Sequence, residues 1–213
     1  MMDLREQFGE IDIYLFDQLL KGRFTPDMTL LDAGCGNGRN MVYFLRNGYD
    51  VYGVDRSETA VQAVRSLAAE LAPELPQDRF EMQAVEKLSY TNDTFDVVIC
   101  NAVLHFAEHE DHFQTMVSEL WRVIKPGGML FARLASSIGI EQQIEPIGGG
   151  RYKLPDGSER YLVSEEQLLR LTEKLYGTWL EPLKTVNVQG LRCMSTWCIK
   201  KPHIVFFEQE RAR

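Results

Sequence analysis

The stretch LDAGCGNGRN (residues 31–40) decides the fold, because it joins a short apolar segment to a helical pattern through a loop with three glycines. The run TLLDAG (29–34) is apolar and ends at glycine, as expected of a buried parallel strand. Glycines at positions 34, 36 and 38 let the backbone approach a ligand closely. A dinucleotide-binding loop needs a small residue at position 39, where this chain has Arg39, so the GxGxG spacing argues against a nicotinamide dehydrogenase.

Strand and helix patterns alternate outward from this loop. The strand patterns lie at 29–34, 50–55, 79–85, 95–103 and 128–136, and the helical ones at 39–47, from Ser57 to Leu71, and around 111–124. Five strands joined by helices of this length predict a parallel sheet with right-handed crossovers. The predicted fold class is α/β, a single Rossmann-like, doubly wound and mostly parallel sheet of about seven strands. Strand-like pieces near 179–188 and 192–200 would close it as a C-terminal antiparallel hairpin.

The whole chain, 1–213, is predicted to be one domain, since no repeat, linker or charge run marks a second. It would comprise an N-terminal helix (5–22), a core (25–136), a lid segment (137–161), and a C-terminal helix and hairpin (164–201). The segment 137–161 is rich in glycine and polar residues, with a turn signal at 155–157, and predicts a long loop or short hairpin. A capping box at 164–167 begins the C-terminal helix.

Composition narrows the classes of partner. The chain has 31 acidic and 23 basic residues in 213, a formal charge of −8, which disfavours a nucleic-acid substrate. The longest apolar runs are too short for a membrane helix and the N-terminus is polar, so a cytoplasmic protein without membrane contact is expected. The four cysteines form no CxxC pair and are expected to be reduced, mostly buried thiols.

Two acidic residues stand at the ends of neighbouring predicted strands. Asp32 enters the glycine loop, where it would repel a pyrophosphate but attract an ammonium or sulfonium group. Asp55 closes the second strand and could accept hydrogen bonds from both hydroxyls of a ribose. A helix-capping role is the alternative. The pattern favours a site for a cationic nucleoside.

Four segments together resemble the motifs of class I S-adenosylmethionine-dependent methyltransferases, particularly the small-molecule and tellurite-resistance-like branch. They are LDAGCGNGRN, the acid in YGVD (52–55), FDVVICNAVLH (95–105) and LWRVIKPGGML (120–130). The resemblance covers roughly residues 25 to 136. It implies S-adenosyl-L-methionine as cofactor, S-adenosyl-L-homocysteine as product, and methyl transfer to a small-molecule acceptor by in-line displacement. Methylation of a protein or RNA, or a cofactor-binding module without chemistry, are the alternatives.

The resemblance also implies a cofactor site at the strand ends. Its members are Asp32, Gly34, Cys35, Gly36, Asn37, Asp55, Arg56, Ala84, Val85, Glu86, Cys100 and Asn101. The glycine loop would hold the methionine portion and Asp55 the ribose, with positions 56 and 84–86 around the adenine and 100–101 beside the sulfonium. Many relatives have an acid where this chain has Ala84, so backbone groups or Glu86 would have to bond the adenine amino group.

Candidates on the acceptor side follow from position along the chain. His105, after the fourth strand, would be a base or an acceptor-orienting group, or else a packing histidine. The spacing of His105, His109 and His112 could suit a metal, but the interleaved acids favour a solvated turn, so no metal is predicted. Arg151, Tyr152, Arg160 and Tyr161 would form a lid that recognises an anionic or aromatic acceptor, with solvent-exposed loop residues as the alternative. Tyr14 would shield the site or else pack in the core. The closing hairpin near 179–200 could pair with that of a second copy, so a homodimer is an alternative.

Overall fold

A mostly parallel β-sheet runs through the centre of the computed structural model, which describes residues 3–203. The strands are β1 (Thr29–Ala33), β2 (Asp50–Asp55), β3 (Phe80–Met82), β4 (Phe95–Asn101), β5 (Ile124–Ser136), β6 (Glu145–Gly148), β7 (Arg151–Lys153), β8 (Glu159–Tyr161), β9 (Thr178–Trp179), β10 (Lys184–Val188) and β11 (Arg192–Lys200). The helices are α1 (Leu4–Phe8), α2 (Ile13–Leu20), α3 (Val42–Arg46), α4 (Glu58–Leu71), α5 (Glu110–Val123) and α6 (Glu165–Lys174). Short 3-10 turns lie at Gln77–Arg79 and Leu104–Phe106.

The strand order β10-β11-β5-β4-β1-β2-β3 confirms the predicted fold class, with seven strands on the main path and β9 added beside β11. Strand β1 pairs in parallel with β2 on one side and β4 on the other, so the winding reverses at β1. In such sheets a ligand crevice forms outside the carboxyl ends of the strands at the reversal. The predicted closing hairpin is present, since β10 and β11 pair antiparallel and β11 continues onto β5.

Helices cover both faces of the sheet, which explains why the central strands are almost continuously apolar. Along β1 the side chains alternate: Leu31 joins a core under α5 and α6, while Leu30 joins a second core under α2, α3 and α4. Every residue of β4 except Asp96 is buried. Helix α4 begins as predicted at Ser57, whose hydroxyl accepts the Ala60 N–H at 3.4 Å.

Several predicted elements differ in extent. The single N-terminal helix expected over 5–22 is two helices, because the chain turns at Gly9, whose φ is +61°. The helix expected over 39–47 is confined to α3, and the strand expected over 79–85 is only the three residues of β3. The segment 137–161 is more ordered than a loop or one hairpin: β6, β7 and β8 form a separate three-stranded antiparallel sheet. Among residues 3–203, no helix is long and apolar enough to cross a bilayer.

Candidate active site

A cleft of about 220 Å³ lies at the carboxyl ends of β1, β2 and β4, where the winding of the sheet reverses. It is lined by Gly34, Asp55, Arg56, Gln83, Ala84, Val85, Glu86, Asn101, Ala102, Val103, Phe106, His112 and Met116. Two carboxylates, a glycine backbone and several apolar side chains therefore face one space. This combination suits a ligand with a polar, cationic part and an apolar, flat part.

The glycine loop is held against the end of β2 by backbone hydrogen bonds. The N–H groups of Gly34 and Cys35 both donate to the Val54 carbonyl, at 2.7 and 2.9 Å. Gly34 has a φ of +82°, and a Cβ there would lie 2.3 Å from the Val103 side chain. Only glycine allows this close approach of the loop to the turn after β4. Gly36, with a φ of +54°, faces open space instead.

Asp55 is fixed at the end of β2 by two backbone groups. Its Oδ2 accepts the Gly36 N–H at 3.0 Å and its Oδ1 accepts the Ser57 N–H at 2.9 Å. A carboxylate has about four lone-pair positions, so both oxygens can still accept a hydrogen bond from a ligand hydroxyl. The capping alternative for Asp55 is thus compatible with the ligand role, because one carboxylate serves the loop, the helix start and the cleft wall.

Asp32 lies near the end of β1, two residues before Gly34, and its carboxyl group is buried. The residue is 2% exposed, and among residues 3–203 neither of its side-chain oxygens has a hydrogen-bond partner. Burial, with a smaller contribution from the Asp55 charge, raises the pKa of Asp32 to about 7, against the opposing effect of Arg39. An unpartnered buried carboxyl is costly, and a cation bound above it would offset that cost. The donor set therefore fits a cationic ligand.

Seven of the twelve predicted cofactor residues line the cleft. They are Gly34, Asp55, Arg56, Ala84, Val85, Glu86 and Asn101. Cys35 and Cys100 instead point into the two cores as buried free thiols, and burial raises the pKa of both. Asn37 is exposed. Asp32 and Gly36 are not among the residues that line the cleft. The charge of Asp32 interacts with that of Asp55, and the Gly36 N–H donates to the Asp55 carboxylate.

Residues that the sequence reasoning missed complete the cleft. They are Gln83, Ala102, Val103, Phe106, His112 and Met116. His112 and Met116 lie four apart on one face of α5, a spacing that could have been recognised from the sequence. His112 Nε2 lies 3.6 Å from the Glu86 carboxylate, across the cleft wall. Ala102 has a φ of +62°, an unusual conformation for a residue with a Cβ, and no sequence signal announces it.

His105, a candidate base or acceptor-orienting group, is almost completely buried. It is 7% exposed, and its Nδ1 accepts the Ala135 N–H at 3.3 Å. Burial, followed by the charges of Arg160 and Arg133, lowers the pKa of His105 to about 4, so the ring is neutral at pH 7. A neutral ring that accepts at Nδ1 carries its proton on Nε2 and is a donor there. These surroundings are those of the packing alternative, and a role of His105 toward an acceptor stays a prediction.

The other two histidines of the predicted trio serve the start of α5. His109 Nδ1 accepts the His112 N–H at 3.2 Å, and His112 Nδ1 accepts the Glu108 N–H at the same distance. Within the described chain, residues 3–203, no group of three or more His, Cys, Asp or Glu side chains is arranged to hold a metal ion. The spacing that could have indicated a metal is explained by helix capping.

The predicted acceptor residues separate into two sets. Tyr161 is buried, stacked on Phe113 at 4.8 Å between ring centroids, and it is a core residue rather than a lid contact. Tyr152 packs in a small core beneath β7, and Arg151 pairs with Glu159 at 3.7 Å. Arg160, by contrast, stands 5.0 Å from the ring centroid of Phe106, and the Tyr14 ring lies 5.1 Å from the guanidinium of Arg133. Only Arg160 and Tyr14 lie beside residues at the strand ends.

Comparison with known proteins agrees with this geometry. Residues 31–132, from β1 to β5, match the family model described as a methyltransferase domain. The chain is 31% identical to the uncharacterized methyltransferase YodH of Bacillus subtilis over 177 residues, 83% of this chain and 66% of that protein. It is also 31% identical to a ubiquinone biosynthesis O-methyltransferase of Brucella anthropi, over 73% of this chain and 65% of the relative. The chain thus spans just under two thirds of the length of these curated relatives.

A solved structure shows the same fold. The 1,6-didemethyltoxoflavin-N1-methyltransferase of Burkholderia thailandensis, crystallised with 1,6-didemethyltoxoflavin and S-adenosylhomocysteine, superposes with a TM-score of 0.68 at 21% identity. The superposition covers 94% of this chain and 81% of that one. The matched residues 31–132 include the reversal at β1, the glycine loop and the acid at the end of β2. Residues 31–132 thus match a methyltransferase domain in sequence, and the chain has the fold of an S-adenosylmethionine-dependent methyltransferase.

Proposed function

We propose that this protein transfers a methyl group from S-adenosylmethionine to a small-molecule acceptor. One observation carries the proposal: Gly34 and Asp55 line a single cleft at the end of β1, the strand that holds the buried carboxyl of Asp32, which has no hydrogen-bond partner among residues 3–203. A cationic nucleoside matches this arrangement in charge and in hydrogen bonding. When bound, the cofactor supplies a methyl group activated by attachment to a positively charged sulfur.

In this proposal, different residues of the cleft contact different parts of the cofactor. Asp55 accepts from the two ribose hydroxyls with its remaining lone pairs. The backbone from Gly34 to Gly36 meets the methionine portion, and Asp32 below it balances positive charge. Val85 and Met116 provide apolar contact for the adenine, while the side chains of Gln83 and Glu86 and the backbone of Ala84 supply hydrogen bonds. The missing acid at Ala84 is thereby compensated by its neighbours.

Orientation and exclusion of water are what this chain contributes to the transfer. Val103 and Phe106 form an apolar wall beside Asn101 at the end of β4, where the acceptor meets the cofactor. Holding two reactants in line and partly desolvated supplies much of the acceleration of such a displacement. His105 is neutral and carries its proton on Nε2, so in this proposal it would donate a hydrogen bond to the acceptor and not remove a proton from it.

A small molecule is the acceptor class that the chain's properties favour. Two of the proteins compared above, the ubiquinone biosynthesis O-methyltransferase and the 1,6-didemethyltoxoflavin-N1-methyltransferase, have names that indicate small-molecule chemistry. A net charge of −8 disfavours RNA. Because four segments also resemble the tellurite-resistance-like branch, selenite and tellurite belong in an acceptor panel that follows release of S-adenosylhomocysteine. Protein methylation is an alternative that the same panel addresses. A homodimer through the β10–β11 hairpin is an alternative for the oligomeric state, which sedimentation addresses.

Calorimetry tests the proposal through Asp55. We expect S-adenosylhomocysteine to bind the wild-type protein and Asp55→Asn to weaken binding roughly 10- to 100-fold, because hydrogen bonds to a charged group contribute about 1.5–3 kcal/mol. Asp78→Asn, at an exposed position, is the matched control and should bind like wild type. Failure of the wild-type protein to bind either S-adenosylmethionine or S-adenosylhomocysteine would end the proposal. Unchanged affinity in Asp55→Asn would remove the ribose assignment alone.

A further inference from the structure

Three arginines converge on the acceptor end of the cleft. Arg133 is the register neighbour of Asn101 across the β4–β5 pair, and Arg39 Nη2 lies 3.5 Å from the Asn101 Oδ1. Arg160 reaches over from β8 and places its guanidinium 5.0 Å from the ring centroid of Phe106. Asn101 and Phe106 both line the cleft, so positive charge accumulates where the acceptor has to enter.

The carboxylates nearby do not balance this charge. Asp12 is buried and pairs with Arg133, its Oδ2 lying 3.1 Å from Nη1, which accounts for one arginine. Asp32 and Asp55 belong to the cofactor side, where Asp32 faces Arg39. Arg160 donates to the backbone carbonyl of Glu159 at 2.8 Å and has no carboxylate within 4 Å among residues 3–203. The acceptor end of the site is therefore locally positive in a protein whose net charge is −8.

Unsatisfied and aromatic groups lie at the same place. Among residues 3–203, the Nε of Arg133 is buried without a hydrogen-bond partner, and so is the Nδ2 of Asn101. Both are donors, and an acceptor bearing negatively charged oxygen would complete their hydrogen bonding. Phe106 is half exposed on the cleft wall, and the Tyr14 ring lies against Arg133. These rings offer flat apolar surfaces next to the guanidinium groups.

We propose that the acceptor is an aromatic anion, recognised by Arg133 and Arg160 with its ring against Phe106. This inference rests on the proposed methyl transfer and specifies its substrate class. Guanidinium groups bind carboxylate and phenolate oxygens through charge-assisted hydrogen bonds, and their charge favours the ionised form of an acidic phenol. Their neighbours on the cleft wall are Asn101 and Phe106, not Gly34 or Asp55, so we expect both arginines to determine specificity and not cofactor affinity.

An anionic acceptor also removes the need for a base. Its negatively charged oxygen forms a bond to the methyl carbon while the carbon–sulfur bond breaks and the electron pair of that bond stays on sulfur. Oxygen and sulfur both end neutral, and no proton is released. This balance agrees with the state of His105, which carries its proton on Nε2 and can donate a hydrogen bond but not accept a proton at that atom.

Matched pairs of aromatic compounds test the inference by ligand-observed NMR on protein saturated with S-adenosylhomocysteine. The pairs are benzoate and benzamide, 4-hydroxybenzoate and 4-hydroxybenzamide, and 3,4-dihydroxybenzoate and its amide, which differ in charge at one group. We expect the carboxylates to bind at least about tenfold more tightly than the amides. Arg160→Gln should abolish most of that preference, while Arg170→Gln, an exposed arginine on α6 paired with Glu166, should retain it.

A second variant distinguishes a loss of anion recognition from a loss of folding. Arg133→Lys keeps a positive charge beside the buried Asp12 but loses the planar fork, and we expect it to reduce the carboxylate preference several-fold without changing the affinity for S-adenosylhomocysteine. Equal binding of carboxylates and amides, binding of neither, or a preference unaffected by both variants would overturn the inference. Calorimetry separates this result from the proposed function, which fails only when the cofactor product itself does not bind.

Discussion

The fold strongly disturbs the ionisation of Asp32. Its folded-state pKa of about 7 lies above the ordinary value of 3.8, so between these values the native state binds more protons than the unfolded state. The free energy of unfolding that Asp32 contributes therefore falls as pH rises from about 4 to about 7. The folded protein without its ligand is destabilised at pH 8 by a charge that a bound cation would stabilise.

Replacing Asp32 by Asn isolates this contribution. We expect the difference in unfolding free energy between Asp32→Asn and wild type to move in favour of the variant by a few kcal/mol from about pH 5 to about pH 8. Urea unfolding at several pH values measures it. His105, whose lowered pKa makes stability rise with pH between about 4 and 6.5, is common to both proteins and cancels in the difference. A difference independent of pH would contradict the buried, unpaired state of Asp32.

Single residues also show where sequence reasoning stopped. The roles of Gly34 and Asp55 could be predicted because the glycine spacing and the acid after the second strand are local patterns. Arg133 was not identified, since its significance arises from its pairing with Asn101 across two strands and from Asp12, which lies 121 residues away. Tyr161 was misplaced because an exposed-looking polar segment turns its ring into the core.

At the scale of elements, the strands were easier to predict than the connections. The apolar runs of β1, β2 and β4 and the β10–β11 hairpin follow from periodicity and turn residues. The three-stranded sheet of β6, β7 and β8 did not, because its strands are three or four residues long and mostly exposed, with little hydrophobic alternation. The break between α1 and α2 depends on one glycine conformation that a helical periodicity conceals.

The contact between the glycine loop and the turn after β4 gives a prediction about these elements. Gly34→Ala would force a left-handed φ of +82° on a residue with a Cβ and place that atom 2.3 Å from Val103. We expect it to lower the free energy of unfolding by about 2–4 kcal/mol, measured by urea unfolding. Gly22→Ala, with a φ of +66° and open space around it, should lose only about 1 kcal/mol.

The double variant Gly34→Ala, Val103→Ala separates strain from collision. Removing the Val103 methyl groups relieves the contact but leaves the left-handed φ, so part of the loss should be recovered. Equal stability of Gly34→Ala and Gly22→Ala would show that the loop does not pack against the turn after β4 as described.

In the molecule as a whole, local stability is distributed unevenly between the main sheet and the small sheet of β6, β7 and β8. Strands β1, β4 and β5 lie between the two cores and contribute buried side chains to both. Every residue of β6 is exposed, and the sheet of β6, β7 and β8 packs on a much smaller apolar cluster. Local opening free energies follow buried contacts, so these two parts should differ strongly in amide exchange.

Hydrogen exchange measured by mass spectrometry, with and without S-adenosylhomocysteine, tests this division. We expect β1, β4 and β5 to exchange slowest and 145–153 to exchange fastest within residues 25–200, since the former are buried on both faces. The ligand should slow exchange in peptides covering 34–38, 55–57 and 83–86, because those backbones line or support the cleft. Peptides covering 145–153 are the internal control and should not change. Protection confined to β6, β7 and β8 would place the ligand outside the cleft at the β1 reversal and contradict the site.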